Sequence, residues 1–195
     1  MLNLIKYKNN LGFTLVEVLV ASAIFIAALT VMYGIYFSGL DIYNTANYQA
    51  DLQAQARIAL NSMSYELRNA TRTSTQNPSP NLSIPSTPNN KSTKFYLPAK
   101  DINGRIVTDS GGDIVWDKNN PIDYQYIPGQ KVLRRLENGE QKILAQDVSG
   151  IQFIDANIDY ALSIYELKII LTLNKTTPEK RNISVTSSAI VRLRN

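Results

Sequence analysis

The chain has 195 residues, with 20 lysines and arginines against 16 acids and neither cysteine nor histidine. The missing cysteine excludes a disulfide framework or a thiolate metal site, and the missing histidine excludes the commonest general base and metal ligand. Enzymatic chemistry would have to run on carboxylates or a Ser–Lys pair, and no nucleophile–base pair or phosphate loop can be picked out. Two of the excess cations, Lys6 and Lys8, lie near the start; the remainder is near neutral and gives little support for nucleic-acid binding. The length suits one domain plus an appended element.

Residues 1–12 form a short leader that carries Lys6 and Lys8 and no acid. Residues 13–40 are an apolar run whose only ionisable side chains are Glu17 and the weakly acidic Tyr33 and Tyr36. A helix over this run would be ~42 Å long, enough to cross a bilayer core of ~30 Å. Positive charge ahead of it predicts a cytoplasmic N-terminus and an outward far end. Ala21-Ser22-Ala23 has the form of a secretory cleavage site, but the apolar pattern continues well beyond it. A carboxylate at a helix centre costs roughly 2.5–3.5 kcal/mol in a bilayer, and less near an end, so Glu17 is predicted to be used by something. Gly34 reads either as a soft bend or as a small residue for close helix approach.

The stretch Gly12-Phe13-Thr14-Leu15-Val16-Glu17-Val18-Leu19-Val20-Ala21 resembles the N-terminal motif of type IV prepilins and type II secretion pseudopilins. The resemblance implies cleavage by a prepilin peptidase between Gly12 and Phe13, methylation of the new Phe13 amine, and an assembly and register role for Glu17. Glu17 lies one helical turn from Phe13, since positions i and i+4 share a face. It could pair with that amine locally, or with the amine of a neighbouring subunit in a filament. An unpaired carboxylate in an apolar bundle is heavily penalised, so the second pairing would set the axial register.

Residues 41–72 stay helical in pattern but become amphipathic, with Leu52, Ala56, Ala59, Leu60, Met63, Leu67 and Ala70 spaced by three and four. One helix over 13–72 is the simplest reading, with 13–40 in lipid and 41–72 packed on a globular head. The sequence of residues 55–70 is similar to the helix end of PilW-type minor pilins and J-type minor pseudopilins. Residues 73–93, with Pro78, Pro80, Pro85 and Pro88, exclude helix and predict a long loop.

From Lys94 the apolar period becomes two, and 94–195 reads as a β-rich head. Strands are predicted at 95–97, 114–116, 122–127, 131–136, 141–144, 151–154, 165–173 and 183–193. Asn138-Gly139 predicts a tight hairpin turn, and the two long final strands should pair antiparallel. The fold class is therefore α+β: a long N-terminal helix packed on one antiparallel sheet or two stacked sheets. The order of hairpin, Val148-Ser149-Gly150-Ile151-Gln152-Phe153 and two long strands again resembles the minor pilin and pseudopilin group.

Asp101, Asn103, Asp109 and Asp113 beside glycine turns are weak calcium candidates; their spacing matches no EF-hand, and turn chemistry is the simpler reading. Lys131, Arg134 and Arg135 cluster on one predicted strand, which reads as a solvated face or, less simply, a DNA-contacting patch. The resemblance implies a non-enzymatic minor pilin or pseudopilin without cofactor, which helps initiate or cap a type IV pilus or a type II secretion pseudopilus. It implies an inner-membrane location with the head outside the cytoplasm. The implied partners are the prepilin peptidase, other pilins or pseudopilins, the assembly platform and membrane lipid, with nucleic acid not expected. The alternatives are a DNA-uptake pilin and a membrane-anchored enzyme or binding domain.

Overall fold

The computed structural model describes residues 12–72, 81–85, 91–178 and 180–194. Most of the predicted leader, including Lys6 and Lys8, lies outside the described residues, as do Pro78, Pro80 and Pro88 of the predicted loop. The chain divides into two compact units, Met1–Asn44 and Thr45–Asn195. Helix α1, Leu15–Leu67, runs through the boundary between them.

In the first unit the helical side chains are almost all exposed, and one window of α1 is long and apolar enough to cross a membrane. Two hydroxyls there bond within the helix: Ser22 Oγ donates to the Leu19 carbonyl at 2.9 Å and Thr30 Oγ1 to the Ile26 carbonyl at 2.9 Å. Such internal bonding is what a segment in lipid requires. The helix is unbroken at Gly34 and Gly39, and a Cβ at either would meet nothing within 4 Å. Neither glycine is needed by the packing of this chain itself.

In the second unit Leu52, Ala56, Ala59, Leu60, Met63 and Leu67 form the buried stripe of α1. The helix ends at Leu67, short of the predicted 72. Its last bonds tighten, with Asn69 N–H donating to the Glu66 carbonyl and Ala70 N–H to that of Leu67. The next residues have other partners: Thr71 bridges to Arg194, and the Arg72 guanidinium binds Asp155 at 2.7 Å.

The head contains two antiparallel sheets. The first has the order β1 Ser92–Phe95, β2 Ile122–Ile127, β3 Val132–Glu137 and β4 Glu140–Ala145. The second has β5 Val148–Ile154, β6 Glu166–Thr176 and β7 Asn182–Arg192. Asn138 and Gly139 have φ of 52° and 80°, the positive pair that a two-residue hairpin turn needs between β3 and β4. Leu167, Ile169, Leu171 and Leu173 alternate inward along β6 with no exposed surface. They join the helix stripe and Phe95, Ile122, Tyr124, Leu133, Ile151 and Phe153 in one core. Burial of each of the Leu, Ile, Phe and Met side chains among them contributes about 1.5–3 kcal/mol.

Two predicted strands are corrected. The strand at 95–97 is β1 at Ser92–Phe95, because Thr93 and Phe95 point inward and pair with Tyr124 and Ile122. Leu82 is buried and Ser83 bridges to Lys94, so part of the predicted loop lies on the head. Residues 114–116 form isolated bridges only, through Ile114 to Thr108 and Trp116 to Pro98.

The reason is an internal repeat. Residues 99–106, 107–114 and 115–122 are three octapeptides with aspartate third (Asp101, Asp109, Asp117), glycine or asparagine sixth (Gly104, Gly112, Asn120) and isoleucine last (Ile106, Ile114, Ile122). Their first residues close a ring of backbone bonds: Ala99 N–H donates to Val115 at 2.8 Å, Val115 to Val107 at 2.9 Å and Val107 to Ala99 at 2.9 Å. Each copy then turns, with the sixth residue's N–H donating to the aspartate carbonyl, and Gly104 and Gly112 adopt φ of 76° and 87°. A segment that turns within every eight residues cannot extend a ladder.

Candidate functional site at the helix N-terminus

Gly12, Phe13 and Thr14 precede the helix and are exposed. Thr14 is its N-cap. Thr14 Oγ1 accepts from Glu17 N–H at 3.2 Å, while Glu17 Oε2 accepts from Thr14 N–H at 2.9 Å and from Thr14 Oγ1–H at 3.0 Å. This reciprocal pairing is a capping box, which satisfies helix donors that otherwise have no partner. An acid in the first turn also opposes the positive end of the helix dipole.

Glu17 in the single chain is thus engaged by Thr14. The spacing argument identified Glu17 but missed Thr14, although Thr-x-x-Glu ahead of an apolar run is a legible capping signal. A Cβ at Gly12 would meet nothing within 4 Å, and its φ is not in the left-handed region. The fold of this chain does not require glycine at position 12. Phe13 is 86% exposed.

The calcium candidates form local turns in the second unit. Asp101 Oδ1 accepts from Asn103 N–H at 2.9 Å and Arg105 N–H at 2.8 Å. Asp109 Oδ1 accepts from Gly111 N–H and Asp113 N–H, both at 2.9 Å. These are side-chain-capped turns at equivalent positions of two octapeptides. Among the described residues no group of three or more acids converges to hold a metal.

The basic cluster on β3 is not the solvated face that the sequence predicts. Lys131 lies in the β2–β3 turn with φ of 54°. Arg134 donates to Gln125 Oε1 and Gln141 Oε1, both at 2.9 Å. Arg135 donates to Glu66 Oε2 at 2.8 Å and Glu137 Oε2 at 2.7 Å. Burial works against the Arg135 charge, but the bonds to Glu137 and Glu66 more than offset it and hold its pKa above the ordinary arginine value. Two of the three cations are therefore spent on partners within the head.

Residues 7–33 match the family described as the prokaryotic N-terminal methylation motif. The match takes in Gly12, Phe13, Thr14 and Glu17 and supports a type IV pilin- or pseudopilin-like protein. Comparison with curated proteins and with solved structures gives no match.

Proposed function

We propose that the chain is a minor pilin or minor pseudopilin, a structural subunit that helps initiate or cap a type IV pilus or a type II secretion pseudopilus. The observation that carries this reading is the exposed, non-helical Gly12–Phe13 junction one turn ahead of Glu17, the only carboxylate in the 13–40 run. A peptidase needs accessible, non-helical backbone, and this junction offers it. The glycine answers a requirement outside this chain, as expected of a residue read by the peptidase.

Cleavage there creates an amine on Phe13, its site of methylation. In a filament, Glu17 leaves Thr14 and pairs with the Phe13 amine of a neighbouring subunit. The apolar environment penalises an unpaired carboxylate and so fixes the register. The helix suits a single span of the inner membrane with the head outside the cytoplasm. From Phe13 to Tyr33 it rises about 30 Å, which sets Tyr33 and Tyr36 at the far interface, where tyrosine is favoured. The 41–72 stretch and the β-rich 94–195 region then serve as the partner-specific part, with other pilins or pseudopilins and the assembly platform as partners.

The test is the mature N-terminus. Co-expression with a prepilin peptidase should give a product that begins at methylated Phe13 by mass spectrometry, and Gly12→Val should abolish it. Glu17→Leu should leave membrane insertion intact and impair filament assembly or secretion. Cleavage elsewhere, or normal assembly by the Glu17 variant, would refute the reading.

A further inference from the structure

The head has a strand edge beside two arginines that have no ion-pair partner among the described residues. Among the described residues strand β7 pairs only with β6, and past its end Arg194 bridges to Thr71; from Asn182 to Arg192 its other edge carries no described strand. Leu193 N–H donates inward to Tyr165, while Arg194 N–H points the other way, to Ala70. By strict alternation the backbone N–H and C=O groups of Ser184, Thr186, Ser188, Ile190 and Arg192 point outward. Natural sheets usually cover, bulge or charge such an edge.

Helix α1 runs alongside it. Gln53, Arg57, Leu60 and Asn61 of the helix and Ser187, Ser188 and Ala189 of the strand line a groove of about 330 Å³. The link from Arg194 to Ala70 marks the other end of the same approach. From Arg57 to Leu67 the helix rises about 15 Å and from Ser188 to Arg192 the strand about 13 Å, so the two elements keep step. Small residues at Ser187 and Ala189 hold the groove open where Ile183, Val185, Val191 and Leu193 fill the core on either side.

On the helix side of this groove the charge is positive. Arg57 and Arg68, eleven residues apart, share the helix stripe that faces the groove, while Arg192 on the strand stands opposite Glu166 of β6. Among the described residues none of the three has an ion-pair partner. The nearest helix acids are on the opposite flank and are occupied: Asp51 accepts from Gln55, and Glu66 from Arg135 and Tyr124.

We infer that this edge is a docking site for an extended acidic segment of another protein, which adds as a strand to β7 and sets its carboxylates against Arg57 and Arg68. Main-chain bonds to the outward groups of β7 supply affinity, and the arginines supply selectivity. The arginines are about 16 Å apart along the helix, which an extended chain covers in about five residues. With the reach of the arginine side chains, the segment needs acids at positions i and i+4, both on one side of the added strand. A second copy of this edge is a poor occupant, because it would bring its own Arg57 and Arg68 against the arginines already there. This inference rests on the geometry of the head alone and does not depend on the reading of the N-terminal motif.

The test uses the detergent-solubilised full-length chain and two fluorescent strand-forming decapeptides, one with Glu at i and i+4 and one with Gln at both. The Glu peptide should bind by anisotropy and slow amide exchange at Thr186, Ser188 and Ile190. Arg57→Gln should weaken binding about fivefold, the scale of one solvent-facing ion pair. Ser188→Pro removes one outward N–H and no β6–β7 bond, so it should abolish binding while leaving the unfolding midpoint nearly unchanged. Equal binding of the Gln peptide, or no exchange protection on β7, overturns the inference. So does self-association that protects the same amides without peptide.

Discussion

The Tyr124 phenol donates a 2.6 Å hydrogen bond to Glu66 Oε2, joining β2 to the last turns of α1 across 58 positions of sequence. Arg135 Nε donates to the same oxygen at 2.8 Å, so one helix carboxylate gathers two neighbouring strands. The apolar stripe alone would let the helix slide on the sheet. A directed bond to a charged acceptor, inside a largely buried site, selects one register.

Tyr124→Phe should therefore destabilise the head by about 1.5–3 kcal/mol, the range for a hydrogen bond to a charged group. Urea unfolding of the detergent-solubilised chain, followed by tyrosine and tryptophan fluorescence, checks this. An unchanged midpoint would mean that Arg135 alone satisfies Glu66.

The same site predicts alkaline lability. Burial, and then the charge of Glu66, push the Tyr124 pKa above its ordinary value of 10.0. The folded state thus keeps its proton at pH values where the unfolded state loses it. The contribution is fully present below pH 10 and falls as pH rises, by about 1.4 kcal/mol per pH unit. Unfolding midpoints measured from pH 9 to 12 should drop with this slope in the parent chain, and less steeply in Tyr124→Phe.

Arg72 and Asp155 tie the end of the helical segment to the β5–β6 loop at 2.7 Å, with side chains 21% and 10% exposed. Arg72→Ala leaves Asp155 buried with only the Asn157 bonds. The cost should be about 2–3 kcal/mol, below the range for a fully buried pair because Arg72 is partly exposed. Asp155→Asn should be milder, since it keeps the loop bonds and removes the buried charge. The order of the two midpoints checks the assignment.

The octapeptide ring should fail locally. Asp109→Ala removes the acceptor for Gly111 and Asp113, and amide exchange at those positions should rise. The core residues do not enter this turn, so the global midpoint should move by less than about 0.5 kcal/mol. Gly112→Ala, at φ of 87°, should disturb the same amides at a local cost of about 1 kcal/mol.

At the other end, Thr14→Ala should remove about 1 kcal/mol of helix-start stability. Faster exchange of the Glu17 amide in detergent micelles, with no change beyond the first turn, is the expected signature.

Local pattern determined much of this protein. Local sequence alone marks the apolar run with its single carboxylate, the three-and-four spacing of Leu52 to Leu67, the Asn138-Gly139 hairpin and the alternation along β6. Each of these depends on the fixed periods of helix and strand or on the φ demand of one turn. The tertiary structure decided the rest. It separated the strands into two sheets, moved the first strand to Ser92–Phe95 and stopped the helix at Leu67. It also turned Arg134 and Arg135 from a basic face into internal partners. These outcomes depend on which polar groups meet across long separations, and a hydropathy period carries no information about that. The octapeptide ring stands between the two cases. Its period lies in the sequence, but its meaning appears only when Ala99, Val107 and Val115 are seen to bond in a cycle, because hydrogen bonds between turns have no hydrophobic signature.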